Sequence, residues 1–336
     1  MGAGAIGCFV GGCLAAAGAD VVFIARPRVN QALAREGLTL TDVFGRRHQL
    51  SPAALHLVES VEILRATMPT PSLVLLTVKS GATAEAASAL AQVLPGGTPV
   101  LSLQNGLANA PQAQAAAPAL RVLPGMVSFN VAELAPGYYH QGTEGHLAVQ
   151  DDAVLRAWQP LFTRAGLPLE LHADLRPVQW GKLLLNLNNP VNALSGLPLR
   201  AELMQRGYRQ VFAGLMDEAL AVLRAAGIQP ARLTPVPPHR LPTILRLPDW
   251  LFRILAARML RIDAQARSSM ADDLAMGRRT EVDALCGEVV RLAEAQGMSA
   301  PRNARMVQLI DGPWPAAPEQ MDASRLRDRI TPDRRA

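Results

Sequence analysis

The chain of 336 residues carries two lysines, Lys79 and Lys182, against 31 arginines. On a solvated surface the two cations substitute for each other, but at a reacting centre they do not. A guanidinium keeps its proton at any working pH. An ammonium on a flexible stem can be desolvated, lowered in pKa and made to give up a proton. The two lysine positions are therefore the first candidates for chemistry. Around the second, the run Trp180-Gly-Lys-Leu-Leu-Leu-Asn-Leu-Asn-Asn-Pro190 spaces Lys182, Asn186 and Asn189 at i, i+4 and i+7. On one helix these three fall within about 60° of each other, a narrow polar stripe on a Leu-rich surface. An ammonium and two amides on a buried face need a polar partner. A bound keto or hydroxy acid supplies one. Pro190 is expected to bend or end the helix at Asn189, and Asn188 to point elsewhere in a structural role. Farther on, Ser268 and Ser269 read as an N-cap pair that can also hold a carboxylate through hydroxyl and amide groups. Glu281 lies twelve residues beyond Ser269. One straight helix would put them about 18 Å apart, at different ends of a long site.

Several elements have to position these residues. Gly2, Ala3, Gly4, Ala5, Ile6 and Gly7 spell G-x-G-x-x-G. A helix-forming run from Cys8 to Ala17, a turn at Gly18-Ala-Asp20 and an apolar strand, Val21 to Ala25, follow in that order. Such glycines allow a tight turn and the approach of a dinucleotide pyrophosphate to a helix N-terminus. At the end of that strand an NAD enzyme would carry Asp or Glu for the ribose 2′-hydroxyl. Arg26 and Arg28 stand here instead, and Arg26 suits the 2′-phosphate of NADP(H). Only Met1 precedes Gly2, so the expected first strand is absent. Some five to eight strand residues are expected upstream, with Met1 internal to the reading frame. Two further strands, Ser72–Val78 and Thr98–Gln104, run into Lys79-Ser80 and Asn105-Gly106. Ligands of a parallel sheet sit beyond its C-terminal strand ends, which turns Lys79 and Asn105 toward the cofactor. Weaker strand-like stretches follow near Arg121–Phe129 and His146–Val149, and then the pattern becomes helical.

The expected fold class is α/β: a Rossmann-type dinucleotide-binding domain over residues 1–173, then an all-helical substrate and dimerisation domain over 174–312. Residues 313–336 are expected to form a flexible tail. The length and a 49% apolar composition suffice for two cores. A net charge of +5 favours anionic small molecules as partners. Arginines spread along the chain, without interleaved aromatics, argue against nucleic acid. Cys8, Cys13 and Cys286 make no CxxC, and three cysteines in a chain of this length read as reduced thiols in the cytoplasm. The six histidines are scattered, and no metal site is expected. The apolar run from Ile6 to Ala25 lacks a basic start and is interrupted by Gly and Asp, so neither a signal peptide nor a membrane segment is expected.

Taken in order, GAGAIG, Arg26, VKS with Lys79, LQNG with Asn105, the W-x-K-L-x-x-N helix, and SSM followed by TE resemble the ketopantoate reductase (2-dehydropantoate 2-reductase) family. The resemblance covers roughly residues 2–310. It implies a Rossmann domain followed by a helical one, with the active site in a cleft. The implied activity is NADPH-dependent reduction of 2-dehydropantoate to (R)-pantoate, a step toward pantothenate and coenzyme A. By the same resemblance Lys182 is the general acid. Asn186 and Asn189 hold the substrate hydroxyl and carbonyl, and Ser269 the substrate carboxylate. Asn105 touches cofactor and substrate, while Lys79 and Glu281 touch the cofactor. The sequence departs from the family pattern in three places. The first strand is missing, and Asn189 stands seven rather than eight residues after the lysine. The stretch Ala231–Arg261 is longer than usual and ends in a basic amphipathic run, Pro248 to Arg261, expected to pack within the protein or in a homodimer. Two other readings remain open: a paralogue reducing another 2-keto acid, and a non-catalytic NADP sensor, which would not need a proton donor.

Overall fold

Helix Ala5–Ala16 starts at Gly4, whose extended backbone serves as N-cap without any side-chain bond. The helix ends where Gly18, at φ +91°, reverses the chain. The computed structural model describes residues 1–67, 69–255, 265–312 and 319–331. It divides into two compact units, Met1–Leu175 and Arg176–Ala336.

In the first unit the strands, in chain order, are β1 (Val22–Ile24), β2 (Leu38–Asp42), β3 (Arg47–Leu50), β4 (His56–Val58), β5 (Val74–Leu76), β6 (Pro99–Ser102), β7 (Arg121–Val127), β8 (Val131–Ala135), β9 (Tyr138–Gln141), β10 (Leu147–Gln150) and β11 (Leu169–His172). β1 pairs in parallel with β4. β5, β6 and β7 form a parallel group, which β10 extends antiparallel and β11 continues parallel to β10. The backbone of Met1–Ala3 bridges these two groups. Gly2 and Ala3 donate to Ile24 O at 3.1 Å, the Met1 nitrogen donates to Leu75 O at 2.8 Å, and Thr77 N donates to Met1 O at 2.9 Å. Where no strand was legible ahead of Gly2, three residues make the cross-links that join β1 to β5.

A third sheet, in the order β3-β2-β9-β8, had no counterpart among the expected elements. Its strand β2 buries Leu38, Leu40 and Asp42 on one face. Gly11 and Gly12 let helix Ala5–Ala16 press on β1 and β2. A Cβ at Gly11 would stand 2.8 Å from the Phe23 ring, and one at Gly12 2.5 Å from Leu38 Cδ2. Phe9 from the same helix meets Phe129 edge to face, with centroids 5.9 Å apart.

The second unit is helical, built around the 20-residue helix Arg206–Ala225. Helix Pro301–Asp311 has no cap of its own, and Glu218 supplies one by accepting the Arg302 and Asn303 amides at 2.9 and 3.0 Å. Arg209, fully buried, donates to Leu203, Leu245 and Leu247 carbonyls and to Asp249, and its guanidinium lies 4.1 Å over the Phe252 ring. That contact ties helix Asp249–Leu255, the described part of the amphipathic run expected over 248–261, to the unit's central helix. Residues 256–261 of that run lie outside the described residues.

Three expectations need correcting. The Lys182 helix does not continue to Asn189. Helix Arg176–Asn186 stops, Leu187 forms a turn, and helix Asn188–Ser195 carries Pro190. Pro190 has no N–H to offer the Asn186 carbonyl and its ring crowds that oxygen, so the break falls one turn before the proline. Nor does one helix join Ser269 to Glu281. Helix Ser269–Ala275 is closed by Gly277 at φ +61°, with Gly277 N donating to Leu274 O and Arg278 N to Asp273 O, a Schellman closure. Finally, the C-terminal region contains a helix, Ala323–Ile330, with Leu326 and Ile330 buried. The Tyr208 hydroxyl donates to Met321 O just before it. Residues 313–318 and 332–336 of the expected tail lie outside the described residues. Among the described residues no helix is long and apolar enough to cross a membrane. Nor does any group of three His, Cys, Asp or Glu side chains there suit a metal ion.

Candidate active site

In the first unit the glycine-rich turn is shaped by contacts that exclude side chains. Gly2 sits at φ +92°, and a Cβ there would lie 2.6 Å from Val78 N. A Cβ on Gly7 would stand 2.4 Å from Gly2 O. Thr77 Oγ1 donates to Gly2 O at 2.8 Å and pins the turn to the end of β5. Gly4, by contrast, is exposed, with nothing within 4 Å of a would-be Cβ. Backbone amides at the start of an uncapped helix, beside an open glycine, form the cradle that a pyrophosphate needs. Arg26 is exposed immediately after β1 and caps helix Pro27–Glu36 through its extended backbone. Arg28 is turned to Glu133, 3.8 Å away. Asn30 donates to the Ala25 and Val58 carbonyls and fixes the β1 end against β4. These residues fit the pyrophosphate of a dinucleotide at the glycine-rich turn.

The other two strand ends also carry polar residues. Lys79 is exposed directly after β5, and Asn105 is half-buried just beyond β6, before Gly106 at φ +84°. Between them lies a buried side-chain network. Ser102 Oγ donates to Gln104 Oε1 at 2.9 Å, and Gln104 Nε2 donates to Val78 O at 2.9 Å and Thr83 Oγ1 at 2.7 Å. Thr83 Oγ1 donates in turn to Asn109 Oδ1 at 2.7 Å. Asn109 Nδ2 donates to Ser80 Oγ at 3.1 Å and to Asn105 O.

In the second unit, Lys182 is half-buried on helix Arg176–Asn186. Desolvation pulls its ammonium from the ordinary lysine value down to about 8, and the Glu281 carboxylate pushes back up. Asn186, half-buried, is one turn along the same helix, and Asn189, half-buried, is the second residue of the next. Ser268 is buried and caps helix Ser269–Ala275, accepting from Ala271 N at 3.2 Å. It also donates to Asn189 O at 3.2 Å, and its amide donates to Asn192 Oδ1 at 2.9 Å. Ser269 is exposed beside it. The structure thus brings Asn189 next to the serine pair and Lys182 within electrostatic reach of Glu281. Asn188 has the structural role expected of it, donating to the buried Glu202 at 2.9 Å.

The family models for "Ketopantoate reductase PanE/ApbA" and its C-terminal region match residues 1–153 and 174–313. The chain belongs to the ketopantoate reductase family. Among curated relatives, a 2-dehydropantoate 2-reductase from Halobacterium salinarum is 30% identical over 308 residues, covering 90% of this chain and 93% of the relative. One from Archaeoglobus fulgidus is 26% identical over 322 residues, covering 93% and 96%. A PanE/ApbA family ketopantoate reductase from Ralstonia eutropha superposes with a TM-score of 0.76 at 32% identity, covering 92% of this chain and 95% of that one. A D-mandelate dehydrogenase in ternary complex with NADH and anilino(oxo)acetate shares the fold at 16% identity and a TM-score of 0.72, covering 98% and 96%.

Within this family frame of oxidoreductases, Thr83, Gln104, Asn109 and Asn192 were not among the expected site residues, whereas Ser268 takes the N-cap position expected of it. Each is polar and buried beside an expected site residue. The one signal available was their type: Gln104, Asn109 and Asn192 are amides on otherwise apolar segments.

Proposed function

We propose that the chain reduces 2-dehydropantoate to (R)-pantoate with NADPH. In this reading residues 1–173 hold the cofactor and 174–312 the substrate. The observation that carries it is Lys182, the one lysine of the helical unit, desolvated to a pKa of about 8 while a carboxylate opposes the shift. That combination yields a group protonated at neutral pH yet acidic enough to donate. When bound, NADPH supplies a hydride to C2 of the keto acid. Lys182 gives its proton to the keto oxygen as negative charge develops there, and the resulting amine is reprotonated from solvent. Glu281 keeps the ammonium form populated before turnover, a task beside the cofactor contact that the resemblance implies for it. Asn186 and Asn189 orient the hydroxyl and carbonyl groups, and Ser269 holds the carboxylate. On the cofactor side the Gly2–Gly7 turn takes the pyrophosphate, Arg26 the 2′-phosphate, and Lys79 and Asn105 the ribose and nicotinamide.

One observation favours a second reading, a sister enzyme for another 2-keto acid. The break at Leu187 and the seven-residue spacing re-aim Asn189, which would alter the substrate it accepts. The discriminating experiment is NADPH oxidation with 2-dehydropantoate against a panel of 2-keto acids. The reading predicts the highest kcat/KM for 2-dehydropantoate. A higher value for another acid selects the sister enzyme, and no turnover of any acid removes both.

A further inference from the structure

The helices that follow β5 and β6, Thr83–Val93 and Asn109–Ala116, both begin without a side-chain cap. Their first residues are Thr83 and Asn109, types that commonly satisfy their own helix ends. Here the two side chains are spent on each other. Thr83 Oγ1 donates to Asn109 Oδ1 at 2.7 Å and accepts from Gln104 Nε2 at 2.7 Å. The donors run in one direction, from Ser102 to Gln104 to Thr83 to Asn109 and out to Ser80 Oγ and Asn105 O. Thr83 is fully buried, Asn109 and Gln104 nearly so. Such a buried, satisfied and directional network holds one geometry, because any shift strands a polar group away from water. Its two outlets are the residue after Lys79 and the backbone of Asn105.

We propose that Thr83 and Asn109 are positioning residues for the dinucleotide site. They lock the loop after β5 to the loop after β6, and so fix where Lys79 and Asn105 present their side chains. The inference rests on the reading of those two residues as cofactor contacts. Buried as they are, Thr83 and Asn109 are assigned no ligand contact of their own. They act by removing freedom that the loops would otherwise lose on binding, which appears as affinity.

The test uses the whole chain and needs no keto acid. NADPH affinity is read from quenching of its fluorescence, and loop order from hydrogen exchange at residues 79–81 and 105–107. Thr83→Val keeps the shape and removes the hydroxyl. It should raise the NADPH Kd about tenfold and speed exchange in both loops, because loss of one buried polar link is worth about that factor. Thr83→Ser restores the hydroxyl and should stay within about twofold of the parent. Asn109→Asp, which loses both donors, should behave like Thr83→Val. In a Lys79→Ala/Asn105→Ala background, Thr83→Val should change the Kd by less than about twofold, since the contacts it positions are gone. A tenfold effect persisting in that background, or parental Kd and exchange in Thr83→Val, overturns the proposal. If the parent binds neither NADPH nor NADH, the functional reading falls, and the exchange measurement alone then decides the lock.

Discussion

Lysine 182 differs from a surface lysine in the direction in which pH controls it. Its folded pKa of about 8 lies below the ordinary lysine value, so the proton is lost as pH rises through 8. With Lys182 as the proposed proton donor, the acid form limits reduction on the alkaline side. A kcat profile for keto-acid reduction should be flat near neutrality and decline above about pH 8. Glu281→Gln removes the charge that raises this pKa, so the alkaline decline should begin at lower pH. An unchanged profile in that variant would detach Glu281 from the proton donor. Lys182→Arg keeps the charge but cannot donate, and should cost about 100-fold or more in kcat with a small change in substrate KM. In the first unit, Arg26→Asp should raise the NADPH KM about tenfold or more, the worth of a charge-assisted bond to a phosphate. The NADH KM should fall or stay level. Equal changes for both cofactors would place Arg26 away from the 2′-phosphate.

The elements that were legible are those whose signal is local. Gly2–Gly7 followed by an apolar helix and a strand is a short-range pattern, and helix Ala5–Ala16 and β1 fall where it indicates. The apolar runs before Lys79 and Asn105 likewise become β5 and β6. The sheet β3-β2-β9-β8 was hidden because β2 is five residues long and alternates Leu with Thr, while its partner β9 lies far along the chain. The residues that fix the site were hidden for a related reason. Thr83 and Asn109 look like ordinary helix starts until the fold puts them side by side. The helix break at Leu187 was misplaced because the penalty of Pro190 acts on the carbonyl four residues back. Packing shows the same non-local dependence at Gly181, beside the lysine. A Cβ there would lie 2.5 Å from Ala231 O, and Ala231 is anchored by donating to Pro177 O at 2.7 Å. Gly181→Ala should destabilise the chain in urea unfolding. Overpacking against fixed backbone costs about 1–3 kcal/mol, against the ~1 kcal/mol of helix propensity that Ala gains. Glu202 offers a pH test of element packing. It is fully buried on helix Leu199–Leu203, and burial raises its carboxyl to about 8, against hydrogen bonds from Asn188 and Asn192 and the Arg209 charge. The folded state then holds a proton that the unfolded state has released, between about pH 4.5 and 8. Its contribution is complete below that window and lost progressively across it. Glu202→Gln should abolish this part of the decline, on the order of a few kcal/mol. Parallel pH dependence in both proteins would show that Glu202 is ionised in the fold.

At the scale of the whole molecule, charge and division into units bear on the same question. The chain carries +5 with a pI near 9.6, and nearly all its cations are arginines that keep their charge at any assay pH. Both proposed ligands are anions: a keto acid and a dinucleotide with an extra phosphate. A basic surface raises their local concentration, an effect that salt screens within about 10 Å at 0.1 M. Each unit holds part of the basic equipment, Arg26 and Lys79 in Met1–Leu175 and Lys182 in Arg176–Ala336. Steering should therefore act on cofactor and substrate alike. Raising NaCl from about 20 mM to about 200 mM should increase the KM of both by a few-fold while leaving kcat nearly constant, since distributed charge acts on the encounter with the ligand rather than on the chemical step. NADPH should respond more steeply than NADH because it carries the additional phosphate. In Arg26→Ala, which removes the local partner but leaves the distributed charge, that difference between cofactors should shrink while the shared salt dependence persists. If NADH and NADPH respond to salt identically in the parent protein, the 2′-phosphate is not held by charge at all, and the choice of NADPH as cofactor loses its physical basis.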